Sequence, residues 1–226
     1  MIADMFNRIA PTYDFLNRLL SFRQDMKWRA RAASWLPKSP KIRVLDLATG
    51  TGDLALTILK KRDNVSEIIG LDVAQKMLNI AANKKRDARL HLGLGDACAI
   101  PYADAYFDVV TIAFGIRNVS NHLLALREMY RVLKPGGRLI VLEFSMPQPF
   151  FKPLYLCYFR YVLPFIGGIL SGDHEAYRYL NRSAEVFVSG TAFLKLMNRV
   201  GFQKTTTESL TFGVATIYIA DKESAL

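Results

Sequence analysis

A strand, a glycine turn and a helix follow one another early in the chain and most constrain its fold. Val44 to Leu47 form a short apolar run, which indicates a buried strand, and residues 54–60 have the pattern of a helix. Gly50 and Gly52 stand between them. Such a turn presents backbone N–H groups at a helix N-terminus, where a nucleotide-like ligand binds. Glycine suits it because a side chain would obstruct the ligand and because positive φ angles cost glycine little.

The rest of the chain repeats this alternation of strand and helix. Further strands are predicted at 66–71, 89–94, 107–114 and 138–144, and helices at 74–85, 121–133 and 191–200. Two last strands, at 202–208 and 214–220, have no helix between them, so the final strand is predicted to run antiparallel. The predicted fold is therefore α/β, with a seven-stranded, mostly parallel sheet and right-handed crossovers.

Two segments depart from the alternation and are predicted to lie on the substrate side of a single domain spanning residues 1–226. Residues 1–41 have helical spacing from Tyr13 to Trp35, with Pro11 as a helix start and an interruption at Ser21-Phe22. They form a predicted helical cap before a cofactor-binding core at 42–144. Residues 145–188 contain an aromatic, apolar stretch, and a helix and hairpin follow at 189–226. For this insert, an amphipathic element over the active site is favoured over a core helix or a transmembrane helix, since a span needs about 20 residues.

The charge and the cysteines bound the partners and the compartment. The formal net charge of the 226 residues is +10, and the cap is rich in Lys and Arg, which indicates an anionic partner, either acidic lipid or nucleic acid, unless the basic face is merely solvated. Cys98 and Cys157 are far apart and the three histidines lack metal-ligand spacing, so we expect a reducing, cytoplasmic setting and no metal. The N-terminal residues lack the pattern of a signal peptide.

Three acids at successive strand ends indicate which ligand the glycine turn holds. Asp72 lies about twenty residues beyond the turn, the position of a carboxylate that binds ribose hydroxyls in NAD or S-adenosylmethionine (SAM). Asp46 favours SAM, because an acid beside the turn repels a pyrophosphate and attracts an ammonium and a sulfonium. Asp96, followed by Ala97, is placed to accept a hydrogen bond from the adenine amino group. The alternative is that each acid only caps the helix that follows it.

Strings along nearly the whole chain resemble the UbiE/MenG quinone C-methyltransferases, a branch of the class I SAM-dependent methyltransferases with a Rossmann-like fold. The strings are Met5-Phe-Asn-Arg-Ile-Ala-Pro-Thr-Tyr-Asp-Phe-Leu-Asn17, Leu45-Asp-Leu-Ala-Thr-Gly-Thr-Gly-Asp53, Phe114-Gly-Ile-Arg-Asn-Val119, Leu133-Lys-Pro-Gly-Gly-Arg-Leu139, Leu142-Glu-Phe-Ser145 and Tyr177-Arg-Tyr-Leu180. Ala48 stands where the family often has Gly. The resemblance implies SAM as methyl donor and a polyprenylated quinol as substrate. The short N-terminal segment favours demethylmenaquinol, and the equivalent ubiquinone precursor stays open.

The site residues follow from these positions and from the resemblance. The cofactor-binding candidates are Asp46, Gly50, Thr51, Gly52, Asp72, Asp96, Ala97 and Ala113, and the catalytic candidates are Arg117, Asn118 and Tyr13. A ring carbon is a poor nucleophile until a neighbouring hydroxyl loses its proton, so the reduced quinol is the expected substrate. We expect Arg117 to stabilise the phenolate or orient a water, with Asn118 and Tyr13 completing the network. Alternative bases are Asp173, His174 and Glu175.

Other function classes are less well supported. An amino-methyltransferase of nucleic acids carries an Asn/Asp-Pro-Pro-aromatic motif after the fourth strand, where this chain has Ala113-Phe-Gly-Ile-Arg-Asn118, so no nucleic-acid partner is expected. A cofactor-binding module without activity is disfavoured because cofactor and acceptor ends are both equipped. We expect peripheral contact with the inner face of the cytoplasmic membrane, since the predicted substrate resides in the bilayer. The sequence is compatible with a homo-oligomer.

Overall fold

The fold is a seven-stranded sheet with helices on both faces, seen in a computed structural model that describes residues 2–224. The strand order is β3-β2-β1-β4-β5-β7-β6. β1 to β5 pair in parallel, and β7 runs antiparallel to both of its neighbours. These pairings confirm the predicted sheet and its antiparallel last strand. Met1, Ala225 and Leu226, the ends of the predicted domain, lie outside the described residues.

The elements alternate along the chain as the sequence predicts. The strands are β1 Ile42–Leu47, β2 Val65–Asp72, β3 Leu90–Leu94, β4 Phe107–Ala113, β5 Leu133–Phe144, β6 Gln203–Leu210 and β7 Ala215–Asp221. The helices are α1 Ile2–Leu20, α2 Gln24–Ser34, α3 Asp53–Lys61, α4 Gln75–Lys84, α5 His122–Val132, α6 Lys152–Cys157, α7 Leu163–Ser171, α8 His174–Val186 and α9 Thr191–Val200, with a π-helical turn at Tyr158–Val162 between α6 and α7.

Successive residues of the central strands enter two different cores. On β1, Val44 packs with α2 and α3, whereas Leu45 packs with α5 and α9. The same alternation divides Ile140 from Val141 on β5. A strand buried on both faces reads as a continuous apolar run, which is why periodicity located these strands well.

β5 begins earlier than predicted, at Leu133 rather than at Arg138. Leu133 pairs with Phe107, and regular pairing resumes where Arg138 meets Val109. The Lys-Pro-Gly-Gly sequence between them forms a bulge with Gly136 at φ 75°, so the expected turn lies within the strand.

The N-terminal cap consists of two helices, as predicted, but Pro11 does not start the first. α1 begins at Ile2 and runs through Pro11, which is exposed. Burial of Met5, Ile9 and Leu16 on one face stabilises the helix on both sides of the proline and outweighs its missing hydrogen bond. The predicted interruption is confirmed, since Phe22 and its neighbour Arg23 have φ angles of 51° and 61°.

The insert is an almost continuous helical stretch that packs on the rest of the domain through one face. Lys152–Ser171 has a mean hydropathy of 1.4 and is long and apolar enough to cross a membrane, and 22% of its most apolar window is buried. Length and composition alone do not distinguish a span from a surface helix. Gly167 and Gly168 lie directly against the Tyr177 and His174 rings of α8, where a Cβ atom would not fit. α7 therefore packs closely against α8.

Candidate active site

The crevice that holds the site lies where the order of the strands reverses. β1 pairs with β2 on one side and with β4 on the other. The crossovers leave β1 in opposite directions, so a cleft opens beyond the carboxyl ends of β1 and β4, as in other doubly wound sheets. The glycine turn follows β1 and the Arg117 turn follows β4, so both predicted halves of the site meet in this cleft.

Backbone geometry explains the glycines of the turn. Gly50 and Gly52 have φ angles of 57° and 79°, and Gly52 N donates to Thr49 O at 2.9 Å. A Cβ on Gly52 would lie 3.2 Å from the Ala81 Cβ of α4, so the turn packs tightly on that helix. Ala48 has a φ of 48°, a conformation that glycine adopts at lower cost.

Asp46 is buried at the end of β1 and bound by two hydroxyl groups. Its carboxylate accepts hydrogen bonds from Thr49 Oγ1 at 2.6 Å and from Thr111 Oγ1 at 2.7 Å. Burial raises the pKa of Asp46 to about 6, although these bonds favour its charged form. A carboxylate destabilised by burial gains from a cation placed beside it, which is the property expected at the ammonium end of SAM.

The other two strand-end acids also bind backbone groups of the loops that follow them. Asp72 accepts from Gly50 N and from Ala74 N, both at 2.8 Å, and thereby ties the glycine turn to the start of α4. Burial raises the pKa of Asp72 despite these bonds. Asp96 is exposed and accepts from Cys98 N at 2.8 Å. Both acids therefore cap the segment that follows them, as the alternative interpretation predicted, and this capping does not prevent them from binding a ligand as well.

The cap is clamped onto the glycine turn by a cluster of charged and polar groups. Thr51 Oγ1 donates to Asp14 of α1 at 2.6 Å. Lys84 Nζ bridges Asp14 at 2.8 Å and Asp53 at 2.6 Å, and Arg18 binds Asp53 at 2.7 Å. The hydroxyl of Thr51 therefore points to the cap, while the residue also borders the cleft.

Two cavities lie between the cap and the sheet and share Tyr13 and Arg29. The smaller measures about 30 Å³, and its lining includes five predicted site residues, Tyr13, Asp46, Gly50, Thr51 and Ala113. The larger measures about 370 Å³ and is bordered by Arg117 and by aromatic, aliphatic and polar side chains, most of them from the cap and the insert. The remaining predicted residues, Gly52, Asp72, Asp96, Ala97 and Asn118, line neither of these two cavities.

Arg117 is held in place by Glu143, a residue that the sequence analysis left without a role. Arg117 Nη1 donates to Glu143 Oε1 at 2.5 Å and to Phe114 O at 2.8 Å, and its guanidinium lies 5.1 Å from the Phe144 ring centre. Glu143 is fully buried in β5. Its sequence signal is an acid inside the apolar run 139–144, a pattern that calls for a buried partner.

Several buried polar atoms lack hydrogen-bond partners, and two of them belong to Arg117 and Asn118. Within residues 2–224, Arg117 Nε, Asn118 Oδ1 and Tyr177 Oη have no hydrogen-bond partner. Burial raises the pKa of Tyr13, although the positive charges of Arg117 and Arg29 act to lower it, so its hydroxyl stays protonated at neutral pH. Such atoms cost free energy unless a bound molecule or water satisfies them, which is typical of functional sites.

The alternative bases at the start of α8 are placed less favourably. Asp173 caps α8 by accepting from Ala176 N at 3.0 Å and pairs with Arg8 at 2.8 Å, and these bonds lower its pKa. His174 packs against Gly168 of α7. Asp173, His174 and Glu175 line neither of the two cavities. In the part of the chain that the structure describes, no group of three or more His, Cys, Asp or Glu residues is placed to hold a metal ion.

Solved structures of low sequence identity share this fold. A SAM-dependent methyltransferase from Thermotoga maritima superposes with a TM-score of 0.71 at 22% identity, covering 99% of this chain and 100% of that chain. Phosphoethanolamine N-methyltransferase 2 from Haemonchus contortus, solved with S-adenosyl-L-methionine, gives 0.63 at 15% identity over 84% of this chain and 51% of that chain.

Sequence relatives are much closer. The chain is 51% identical to a demethylmenaquinone methyltransferase from Thermus thermophilus, covering 96% of this chain and 100% of that protein. It is 47% identical to the ubiquinone/menaquinone biosynthesis C-methyltransferase UbiE of Geobacter sulfurreducens, covering 98% of this chain and 88% of that protein. The profile of the ubiE/COQ5 methyltransferase family matches residues 1–222. With this match over residues 1–222 and relatives at 47–51% identity, the chain belongs to the ubiE/COQ5 family of SAM-dependent methyltransferases.

Proposed function

We propose that this enzyme transfers the methyl group of SAM to a ring carbon of a polyprenylated quinol, namely demethylmenaquinol. The observation that carries the proposal is the pair of adjoining cavities, one at the glycine turn and one bordered by Arg117 and aromatic side chains. Relatives named demethylmenaquinone methyltransferase, at 44–51% identity, favour menaquinone over ubiquinone chemistry.

The cofactor side fits SAM. A Cβ built on Gly50 would meet only a carbonyl oxygen 4.0 Å away, so the turn leaves room beside its backbone. Asp46 offers negative charge to the ammonium and sulfonium groups, and Asp72 lies at the end of the next strand, where the ribose is expected. When bound, SAM supplies an electrophilic methyl group on a sulfonium.

The larger cavity fits a flat, apolar ring with a long tail. Aromatic and aliphatic side chains from three parts of the chain surround it, among them Trp28, Phe114, Phe144, Tyr155, Phe159 and Leu163. A volume of about 370 Å³ is within the range of small-ligand sites, and a cavity with few polar groups favours a substrate that carries little charge.

Arg117 and Tyr13 provide the polar end of this cavity. The ring carbon becomes nucleophilic when the neighbouring hydroxyl gives up its proton, and the guanidinium of Arg117 stabilises the resulting oxyanion. The neutral hydroxyl of Tyr13 donates a hydrogen bond to the same oxygen. Asn118 Oδ1 is buried without a partner and borders neither cavity, so it is assigned the far end of a water path that carries the proton away. The carbon–methyl bond then forms as the sulfur–methyl bond breaks, leaving S-adenosylhomocysteine, and loss of the ring proton restores aromaticity.

The test is incubation of the enzyme with isotopically labelled SAM and chemically reduced demethylmenaquinone, with the benzoquinol precursor of ubiquinone in parallel. Mass spectrometry should find one labelled methyl group on the naphthoquinol ring and much less on the benzoquinol. Omitting the reductant should abolish turnover, because an oxidised quinone has no hydroxyl to deprotonate. Methylation of neither quinol would refute the proposal, and salt-dependent binding of RNA would favour the nucleic-acid alternative.

We further propose that the enzyme works on the cytoplasmic face of the membrane. Two exposed apolar side chains, Phe22 and Leu154, border the larger cavity. Phe150, Tyr161 and Phe165 of the insert are exposed as well, and we call these five residues the rim. Exposed Arg23, Lys27 and Lys152 stand beside the rim in sequence. An apolar rim flanked by cations suits an anionic bilayer, from which the prenyl tail would enter the cavity.

Vesicle flotation tests this docking. Binding should be stronger to vesicles containing phosphatidylglycerol than to phosphatidylcholine vesicles, and the double substitution Phe22→Ser, Phe165→Ser should weaken it about tenfold or more, given about 0.8 kcal/mol per buried CH₂. Val188→Ser, an exposed apolar residue outside the rim, is the control. Equal binding to both vesicle types would contradict the docking without affecting the proposed reaction.

A further inference from the structure

Arg29 reaches from the cap into the centre of the site, although its sequence context suggested only a basic surface. It lies on α2, is 7% exposed, and borders both cavities. Its Nη1 donates to Asp25 at 2.7 Å, and its guanidinium lies 5.3 Å from the centre of the Phe114 ring. By contrast, Lys27 and Arg31 of the same helix are exposed.

The small cavity is otherwise acidic or neutral. Of the residues that line it, Arg29 is the one with a positive charge, while Asp46 and Asp53 are acids. Although burial opposes ionisation of Asp53, the charges of Arg29 and Lys84 hold its pKa below the usual value. The Arg29 guanidinium therefore acts on the same space as the glycine turn.

A buried cation beside a sulfonium site needs a physical reason. Two positive charges repel each other in a cleft of low dielectric constant, and a buried cation is costly unless its donors are satisfied. A cofactor carrying only an ammonium and a sulfonium would be repelled by Arg29. SAM also carries a carboxylate, and a planar guanidinium matches a carboxylate with two parallel hydrogen bonds.

We propose that Arg29, which belongs to the cap, binds the carboxylate of the methionine moiety of SAM in the small cavity that it lines together with Asp46 of β1. The inference rests on the methyl donor of the proposed function and is independent of which quinol is methylated. It divides the charges of the cofactor between two walls: the acids of the sheet side take the cationic groups, and the arginine of the cap takes the anionic one. Because Arg29 belongs to α2, cofactor binding would also hold the cap closed.

Calorimetric titration with two ligands isolates this contact. One ligand is S-adenosylhomocysteine, and the other is its decarboxylated analogue, which lacks only the carboxylate. In the unaltered enzyme the analogue should bind at least tenfold more weakly. Arg29→Met should weaken S-adenosylhomocysteine binding about 30-fold or more, as expected for a lost charge-assisted pair, and should change analogue binding less than about threefold. Arg29→Lys should lie between, because the ammonium keeps the charge without the planar fork.

Arg31→Met is the matched control, since Arg31 is exposed on the same helix and pairs with Glu208 at 2.6 Å. It should leave the affinity for both ligands unchanged. Equal losses for both ligands in the Arg29 variants, or no loss in either, would overturn the proposal. If Arg29→Met does not fold, Arg29→Lys and the two-ligand comparison in the unaltered enzyme still decide it. Because no quinol is present, failure of the quinol assay leaves this result unaffected.

Discussion

The two walls of the crevice are built in different ways. The sheet-side wall consists of strand ends, the glycine turn and acids that bind backbone N–H groups, all within the core at 42–144. The cap-side wall consists of side chains from α1, α2 and the insert, which meet only because the chain folds back over the sheet. Local geometry thus defines the sheet-side wall, whereas tertiary packing defines the cap-side wall.

Charged contacts join these walls at a small number of points. Asp14 and Arg18 of α1 bind Thr51, Lys84 and Asp53 on the sheet side. Each interaction crosses from cap to core, so the fit of the two walls depends on electrostatics as well as on apolar packing. Changes to either wall should consequently affect different measurable properties.

The largest effect is expected at Arg117, which belongs to the core and borders the larger cavity. Arg117→Lys keeps the charge but loses the planar guanidinium, whose Nη1 donates to both Glu143 Oε1 and Phe114 O. Turnover should fall by about 10²–10³-fold, as for the loss of an oxyanion-stabilising donor, while affinity for S-adenosylhomocysteine stays unchanged. Arg199→Lys, at an exposed position, is the control in the same quinol assay. Near-normal turnover would remove Arg117 from the mechanism.

Next in size is the loss of the charge that holds Arg117. Glu143→Gln preserves shape but leaves a buried guanidinium without its counter-charge, so the free energy of unfolding should drop by about 3 kcal/mol. Chemical denaturation measures this. Glu185→Gln breaks the exposed pair with Arg160 and should cost less than about 1 kcal/mol. Similar small losses in both variants would show that Glu143 acts mainly by shape.

On the sheet-side wall, Asp46 should make the free energy of unfolding depend on pH. Its pKa is raised in the folded state, to about 6 from 3.8, so the folded protein binds the proton more tightly than the unfolded chain does. This contribution is complete below pH 3.8 and is lost as the pH rises through about 6. Asp46→Asn should therefore be more stable than the unaltered protein at pH 7 by about 3 kcal/mol, and not at pH 4.

The informative quantity is the difference in stability between Asp46→Asn and the unaltered protein at each pH, because the titration of all other groups cancels in it. Thermal midpoints at intervals between pH 4 and 8 provide it. Asp46→Asn should also weaken SAM binding at pH 7, since the cationic groups of SAM lose the negative charge of the Asp46 side chain. A difference that does not vary with pH would show that Asp46 is not the buried acid that titrates.

A smaller effect is expected where the walls are joined. Lys84→Met removes the cation between Asp14 and Asp53 and leaves two acids facing each other across the cap junction. Affinity for S-adenosylhomocysteine should fall about three- to fivefold, the size of a partly exposed ion pair, and should respond less to salt. Lys76→Met, exposed on the same helix, is the control. An unchanged affinity would mean that apolar packing alone holds the cap.

The smallest effect concerns the backbone of the glycine turn. Ala48→Gly should stabilise the protein by about 0.5–1 kcal/mol, because glycine adopts a φ of 48° without the penalty of a Cβ. Ala192→Gly, in the regular helix α9, should destabilise it by about 1 kcal/mol. Urea denaturation of both variants gives the two signs. A loss of stability in Ala48→Gly would mean that packing of the Ala48 methyl group outweighs backbone strain.

Sequence patterns located the strand ends and the glycine turn of the sheet-side wall, but not the contacts that the cap makes with them. Gly50 and Asp72 were found because strand ends and glycine turns leave local signals, and the structure joins them by a hydrogen bond. Arg29 was assigned only to a basic face, because helical spacing does not reveal which cation a distant acid will bury. Glu143 was quoted within a motif, yet its partner lies on a different strand connection.

Four features could be predicted from short-range periodicity and backbone conformation: the α/β alternation, the antiparallel last strand, the glycine turn and the acids at the strand ends. Three others became visible only in the folded protein: α1 passes through Pro11, the cap closes on Thr51, and Arg29 enters the cleft. Those features depend on burial and charge between segments far apart in the chain. Side-chain neighbours of this kind are set by the complete fold.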